Sequence, residues 1–380
     1  MALKVAGRGV IPPFFVMEVM RAAAEREAAG GEVLHLEVGQ PSTAAPARVI
    51  AAAKAALETD RLGYTEALGL PALRGAISNQ YRQRHGLEVP PRRVVVTTGS
   101  SGGFVLAFLA AFDAGDRVAM ATPGYPCYRN ILSAFGVTPV ELAVGPETRF
   151  QPTPALLEAA GPLDGLIIAS PANPTGTMIP EPELNELLGY CAGRGIRVIS
   201  DEIYHGITYG APATSALGAS GEVVVLNSFS KYFSMTGWRI GWMVVPEDLI
   251  RPVECLVQNL FISAPTVSQL AALAAFECRD ELEGHVARYA RNRALLLEEL
   301  PRAGLDRLAP AEGAFYIYAD VSKLTDDSEA WCKRLLAETG VAITPGIDFD
   351  PARGRRFVRF SFAGSTETIA EAARRLRNWL

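Results

Sequence analysis

From about residue 94 onward the chain repeats one pattern: a short, continuously apolar run rich in Val and Ile, a turn, and then a stretch with helical spacing. The runs are VVVTT at 94, RVAMAT at 117, GLIIAS at 165, IRVIS at 196, VVVLN at 223 and RIGWMVV at 239. A strand wetted on one face alternates apolar and polar residues; these do not, so both faces of their sheet must be covered. Helices between the strands supply the cover and favour parallel pairing, because a parallel return needs a long crossover. The pattern therefore predicts an α/β fold whose large domain is a mainly parallel sheet flanked by helices. After residue 266 the rhythm changes to two long helical stretches, a strand at Gly313 to Tyr318, a helix from Ser328 closed by Gly340, and strands near 341 and 356. That is the pattern of a smaller α+β unit. Phe15 to Ala29 reads as an amphipathic helix stopped by Gly30-Gly31, and Pro46 and Pro71 each open a helix, where a missing N–H costs nothing. At 380 residues the chain exceeds what one core serves. The expected division is a large domain over 46–275 and a small domain made of 1–45, with its N-terminal arm, and 276–380.

Composition narrows the function. A net charge of −5 without any Lys/Arg block gives no reason to expect nucleic acid or an anionic membrane as partner. The longest apolar run, Phe104 to Phe112, falls well short of the ~20 residues of a bilayer span. The first residues show no secretory pattern, so a cytoplasmic location is expected. The five cysteines are scattered without a C-x-x-C pair, and no two of the four histidines stand at i, i+4. Neither a disulfide framework nor a metal site is expected.

In open α/β sheets ligands gather at the carboxyl ends of strands, and the residues there are chemically unusual. IRVIS is followed by Asp201-Glu202-Ile203-Tyr204, which puts an acid at the tip of a buried strand and a phenol three residues on. VVVLN is followed by Ser228-Phe229-Ser230-Lys231, with Arg239 eight residues after the lysine. GLIIAS leads into a turn-rich loop carrying Asn173, and VVVTT runs through Gly99-Ser100-Ser101-Gly102-Gly103 into an apolar helix. The last arrangement presents backbone N–H groups to a phosphate. Taken singly, Asp201 is an ordinary helix cap, Lys231 a surface residue and Asn173 a turn former. A lysine, an acid, a phenol, an amide and a phosphate cradle at successive strand ends are together what a pyridinium-phosphate aldehyde requires.

The strings SPANPTG (170–176), SDEIY (200–204) and SFSKYFSMTGWRIGW (228–242), with YTEALGLPALRGAI upstream and RFSF near the end, closely resemble the class I and II aminotransferases of fold type I. The resemblance spans nearly the whole chain in the family's order, and its S-x-S-K-x(7)-R segment is highly specific. It implies a pyridoxal-5'-phosphate (PLP) enzyme that moves the amino group of an L-α-amino acid to a 2-oxo acid by a ping-pong mechanism. By that resemblance Lys231 would hold PLP as a Schiff base, Asp201 would face the pyridine nitrogen, and Tyr204 and Asn173 the ring's phenolic oxygen. Ser100, Ser101, Gly102, Ser228 and Arg239 would bind the phosphate, joined by Tyr64 from a second subunit of a homodimer. Tyr125 would stack on the ring. Arg359 would grip the substrate carboxylate, helped by Asn173 and the backbone at Gly39.

Tyr125 replaces a tryptophan found in many aspartate-specific members, and Gln258 falls where many of them carry an arginine for a second carboxylate. With Phe14, Phe15 and Met17 placed to cover the site, these departures predict neutral or apolar amino donors. Two rival chemistries remain open from the sequence. A PLP-dependent lyase or synthase would use the same Lys231 and Asp201. A serine hydrolase would use Ser101 in G-x-S-x-G, although the last histidine, His285, lies inside a helical stretch far from the late loop such an enzyme needs.

Overall fold

The computed structural model describes residues 3–380. Its strands are β1 (Leu34–His35), β2 (Val94–Thr97), β3 (Arg117–Thr122), β4 (Thr138–Ala143), β5 (Gly165–Ala169), β6 (Arg197–Asp201), β7 (Val224–Ser228) and β8 (Gly241–Val244). Four more follow: β9 (Tyr316–Asp320), β10 (Val341–Ala342), β11 (Thr344–Pro345) and β12 (Phe357–Ser361). Strands β2 to β8 build one sheet in the order β2-β8-β7-β6-β5-β3-β4. From β4 across to β7 every pairing is parallel, whereas β8 runs antiparallel to both β7 and β2. The reversal has a local cause: the link from β7 to β8 contains only the short turn Thr236–Trp238 and no crossover helix, so the chain folds straight back.

Both faces of this sheet are covered. On one, Val95, Leu226 and Met243 pack against Phe104 and Phe108 of the helix Gly99–Ala111 and Val253 of the helix Glu247–Leu260. On the other, Leu166, Ile168 and Val198 meet Leu184, Leu187 and Leu188 of the helix Glu181–Ala192. Every residue of β2, β7 and β8 is buried, as continuous apolar runs require. The edge strand β4 was not legible in the sequence. It exposes Thr138, Glu141 and Ala143 and carries Pro139, so it never reads as a buried run.

A three-stranded antiparallel sheet, β11-β12-β9, lies beyond, with the helices Arg279–Arg302, Ser328–Thr339 and Thr366–Trp379. Strand β1 pairs in parallel with β10, which ties residues near 34 to this C-terminal part. The strand expected at Gly313 to Tyr318 begins later, at Tyr316. Its first residues are used elsewhere: the Gly313 amide donates to the Gly176 carbonyl (2.8 Å) and Ala314 to Ile207 (2.9 Å), which clips this segment to the loops of the large sheet. Gly340 ends its helix in the left-handed conformation (φ 76°), as the sequence implied. Among the described residues no helix is long and apolar enough to cross a membrane.

The sheet and the helix Gly99–Ala111 approach each other closely at Gly241, where a Cβ would lie 2.8 Å from the Asn227 carbonyl oxygen and 3.1 Å from the Ser100 amide nitrogen. All its near neighbours are backbone, which cannot rotate aside. Gly241→Ala should therefore destabilise the protein by about 1–3 kcal/mol, the usual cost of overpacking, seen as a lower urea midpoint at unchanged m-value. An unshifted midpoint would show that helix and sheet can part without cost.

Candidate active site

The ends of β5, β6 and β7 and the start of the helix Gly99–Ala111 converge on one cavity of about 200 Å³. Ser100, Ser101, Tyr125 and Arg239 line it, as do Asp201, Tyr204 and Lys231, and Gly39, Asn173 and Arg359 from further along the chain. Residues from seven separate segments thus line one cavity at the carboxyl ends of these strands.

Asp201 ends β6 and is buried; it accepts hydrogen bonds from the Tyr128 hydroxyl and from the Ile203 amide (3.1 Å). Burial pushes its carboxyl up to about 6, against the pull of those two donors and of Lys231. Lys231 donates to the Gly39 carbonyl at 2.6 Å. Burial, with the positive charges of Arg359 and Arg239, brings its ammonium down to about 8, opposed only by Asp201. A lysine so poised holds an appreciable fraction of neutral, nucleophilic amine near neutral pH.

Arg359 is 2% exposed on β12, with its guanidinium carbon 4.3 Å from the Tyr316 ring centre and 4.7 Å from that of Phe349. It donates to Asn173 Oδ1 (2.9 Å), to Thr344 Oγ1 (3.2 Å) and to the Glu37 carbonyl. Its Nε has no partner, and no carboxylate among the described residues pairs with it within salt-bridge distance. A buried guanidinium without a counter-ion is costly unless an anion completes it.

The helix start offers a second place suited to an anion. Gly99 has φ 72°, and no side chain caps the helix N-terminus, which leaves its amides free for an acceptor. Arg239, in the left-handed conformation (φ 51°), brings its guanidinium to within 2.6 Å of where a Gly99 Cβ would stand. Only glycine permits that approach.

Three expected residues lie outside the cavity wall. Gly102 is buried in the first helical turn, where a Cβ would lie 2.2 Å from Thr98 Oγ1. Ser228 stands one layer back: its hydroxyl donates to Ser230 Oγ (2.8 Å) or the Ile240 carbonyl (3.1 Å), and Ser230 is the one that lines the cavity. Tyr64 is 83% exposed. Tyr204 directs its hydroxyl to that of Tyr316 at 2.8 Å.

Sequence reasoning gave no role to three residues that line the cavity, Tyr128, Tyr316 and Ser230. Tyr128 had a usable signal, a phenol three residues after Tyr125 at the start of the helix Cys127–Ala134. Tyr316 had none, since it sits in an apolar strand as any core aromatic does. Phe14 and Met17 line the cavity with Val16 and Met20, but Phe15 does not. Gln258 is exposed on the helix Glu247–Leu260 and is absent from the cavity wall. Ser101 lines the cavity without a histidine to serve as its base, and His285 Nδ1 lies instead 3.3 Å from Ser234 Oγ.

The family model for aminotransferase class I and II matches residues 31–376. The valine–pyruvate aminotransferase of Mycobacterium tuberculosis is 59% identical over 382 residues, covering 99% of this chain and 98% of that one. The aspartate/prephenate aminotransferase of Thermus thermophilus is 33% identical over 370 residues, covering 96% and 95%. Among solved structures, an aminotransferase from Mycobacterium tuberculosis superimposes with a TM-score of 0.98 at 58% identity, covering 100% of this chain and 99% of that one. The aspartate aminotransferase of Thermus thermophilus with maleate gives 0.93 at 32% identity over 100% of both. The chain therefore belongs to the class I and II aminotransferases and catalyses transfer of an amino group between an amino acid and a 2-oxo acid.

Proposed function

We propose that the enzyme works with PLP, that its amino donor is an L-α-amino acid with a small or branched apolar side chain, and that its acceptor is a short 2-oxo acid of the pyruvate type. One observation carries the donor: a buried Arg359 cation faces the same cavity as Lys231, while the wall beside them is Phe14, Val16, Met17, Met20 and Val38. The site thus offers one carboxylate clamp and apolar surface. The 59%-identical relative that uses valine and pyruvate supports the same choice.

The residues fit PLP. An uncapped helix N-terminus with Arg239 suits a phosphate, the buried Asp201 suits a protonated ring nitrogen, and Lys231 suits an aldehyde. When bound, PLP supplies a carbonyl for an amine and a pyridinium ring that takes up the electrons released at the substrate Cα. Asp201 holds a proton at the ring nitrogen, because a cation against it restores the charged carboxylate that burial disfavours. Tyr128 orients Asp201, Tyr125 would cover the ring, and Tyr204 and Asn173 would hold its phenolic oxygen. Ser100, Ser101, Ser230 and Arg239, which line the cavity, would hold the phosphate, with Gly102 and Ser228 supporting them from behind the wall. Arg359 clamps the substrate carboxylate through its planar fork, with Asn173 and Gly39 fixing orientation. Lys231 then takes the Cα proton, a role that typically contributes ~10²- to 10⁴-fold.

In this reading residues 46–275 form the PLP-binding domain, and 1–45 with 276–380 the small one, a grouping that the pairing of β1 with β10 supports. The working unit is a homodimer. Tyr64 is 83% exposed, and Leu3, Val5 and Val10 are 93%, 76% and 76% exposed, a surface that a second copy of the chain would cover.

Because Lys231 is brought down to about 8, its neutral form grows as pH rises through that value, and PLP uptake by the cofactor-free protein should speed up and level off above it. A plateau reached only near pH 10 would show an ordinary surface lysine. In single-turnover spectra, alanine, valine and leucine should discharge the bound cofactor faster than aspartate or glutamate; the opposite ranking would overturn the donor proposal. Mixing inactive Tyr64→Ala and Arg359→Ala proteins under subunit exchange should restore activity in sites that receive both native residues. No recovery, or a fully active monomer, would refute the shared site.

A further inference from the structure

The helix Phe15–Ala28 supplies three of the cavity's apolar wall residues, Val16, Met17 and Met20, and its preceding residue Phe14 supplies a fourth. Its first turn needs acceptors for its free amides, yet its own N-cap position, Phe14, offers no side-chain hydrogen bond. The acceptor comes from the far end of the chain. Asp348, 1% exposed, takes the Phe15 amide on Oδ1 (3.1 Å) and the Val16 amide on Oδ2 (3.2 Å). One carboxylate thus holds both amides at the turn where the wall begins.

The turn that carries Asp348, Gly346–Asp348, also touches the other parts of the substrate site. The next residue, Phe349, lies under the Arg359 guanidinium, 4.7 Å from its ring centre, and accepts the Gly124 amide at 3.0 Å. Arg129 donates to the Asp348 carbonyl at 2.6 Å. Phe14, at the mouth of the helix, packs edge-on against Tyr125 at 5.9 Å. Two consecutive residues therefore connect the carboxylate clamp, the loop bearing the ring-stacking tyrosine and the helix that walls the side-chain pocket. Burying an acid at such a point is unfavourable by itself, and burial does push the Asp348 carboxyl up, opposed by the two amides, Arg359 and Arg129.

We infer that Asp348 is the positioning residue that sets substrate side-chain specificity, by fastening the N-terminus of the wall helix to the turn beneath Arg359. This inference rests on the apolar-donor reading above. Asp348 lies outside the cavity wall, so it acts through the helix. With the fastening in place, Phe14, Val16, Met17 and Met20 stand at a fixed distance from the clamped Cα, and a longer apolar side chain gains contact in proportion to its reach. Without it the wall recedes, and only side chains long enough to touch the wall lose affinity.

The test compares holoenzyme with Asp348→Asn, which keeps the shape but loses one acceptor and the charge, and with Asp348→Ser as a smaller variant that still offers one acceptor. For each, kcat/KM is measured with alanine, valine and leucine as donors. Both variants should lose about tenfold with valine and leucine, equal to about 1.4 kcal/mol, mainly through a raised KM. The loss with alanine should stay below about threefold, because its methyl group does not reach the wall. Amide hydrogen exchange in the peptide containing Phe15 and Val16 should accelerate, with the cofactor absorbance unchanged. Equal losses with all three donors, or unchanged exchange at those amides, would overturn the inference. Failure of the donor reading shows separately: wild type would then prefer aspartate to leucine, and the exchange result would still decide whether Asp348 fastens the helix.

Discussion

Arg359 is a guanidinium buried between two aromatic rings, and the arrangement around it follows from what such a charge needs. Its hydrogens are partly used by Asn173, Thr344 and the Glu37 carbonyl, all neutral acceptors, while Nε stays unpartnered. Neutral acceptors orient a cation but leave its charge unbalanced. Lys231 and Arg239 add positive charge near the same cavity, and Asp201 is the one carboxylate in its wall. The cavity is therefore electrostatically incomplete in a directed way: an anion suits the helix start and another suits Arg359, in a cavity that also holds the nucleophilic amine of Lys231. The phosphorylated cofactor and the substrate carboxylate of the proposed reading would meet those two demands together. Burial first, and then the charges of Arg359 and Arg239, favour the neutral amine of Lys231 in the same cavity.

The backbone makes this possible by bringing strand ends together at close range. Parallel strands β5, β6 and β7 deliver Asn173, Asp201 and Lys231 on the loops or tips at one edge of the sheet. The antiparallel return of β8, with Gly241 at its start, lets the helix from Gly99 settle against the sheet with its N-terminus beside Arg239. A side chain at Gly241 or Gly99 would push the helix start away from the sheet or from Arg239. The spacing of the site is thus set by the absence of two Cβ atoms as much as by the presence of charged groups.

How much of this was legible in the sequence depends on the range of each contact. The α/β architecture and the strand-end residues were readable because a buried strand announces itself locally, as a continuous apolar run, and the chemistry follows within a few residues. Strand β4 escaped because an edge strand has a wet face and so lacks that run. Tyr316 escaped because its role comes from partners distant in sequence, the Tyr204 hydroxyl and the Arg359 face, while its own neighbourhood reads as core. Asp348 was hidden for the same reason: its amide partners are more than 300 positions away. Gln258, singled out by rough register with relatives, is exposed outside the cavity wall, where neither a charge nor its absence acts on a substrate within this chain.

Specificity and chemistry consequently have different physical origins. In the proposed reading the chemical half relies on charge and hydrogen bonding, which discriminate steeply: a second substrate carboxylate desolvated against Phe14, Val16, Met17 and Met20, none of which carries a charge, would cost several kcal/mol. The apolar half discriminates shallowly, because one methylene more or less in such a pocket is worth about 1–3 kcal/mol, or roughly 10- to 200-fold. A wall of this kind separates aspartate from valine sharply but valine from alanine or leucine only by degree. What fixes that degree is the distance from the wall to the clamped Cα. Phe14 and Met17 are themselves only partly covered, so in the proposed reading the packing of Val16 and Ala23 is supplemented at the helix start by the bonds from the Phe15 and Val16 amides to Asp348.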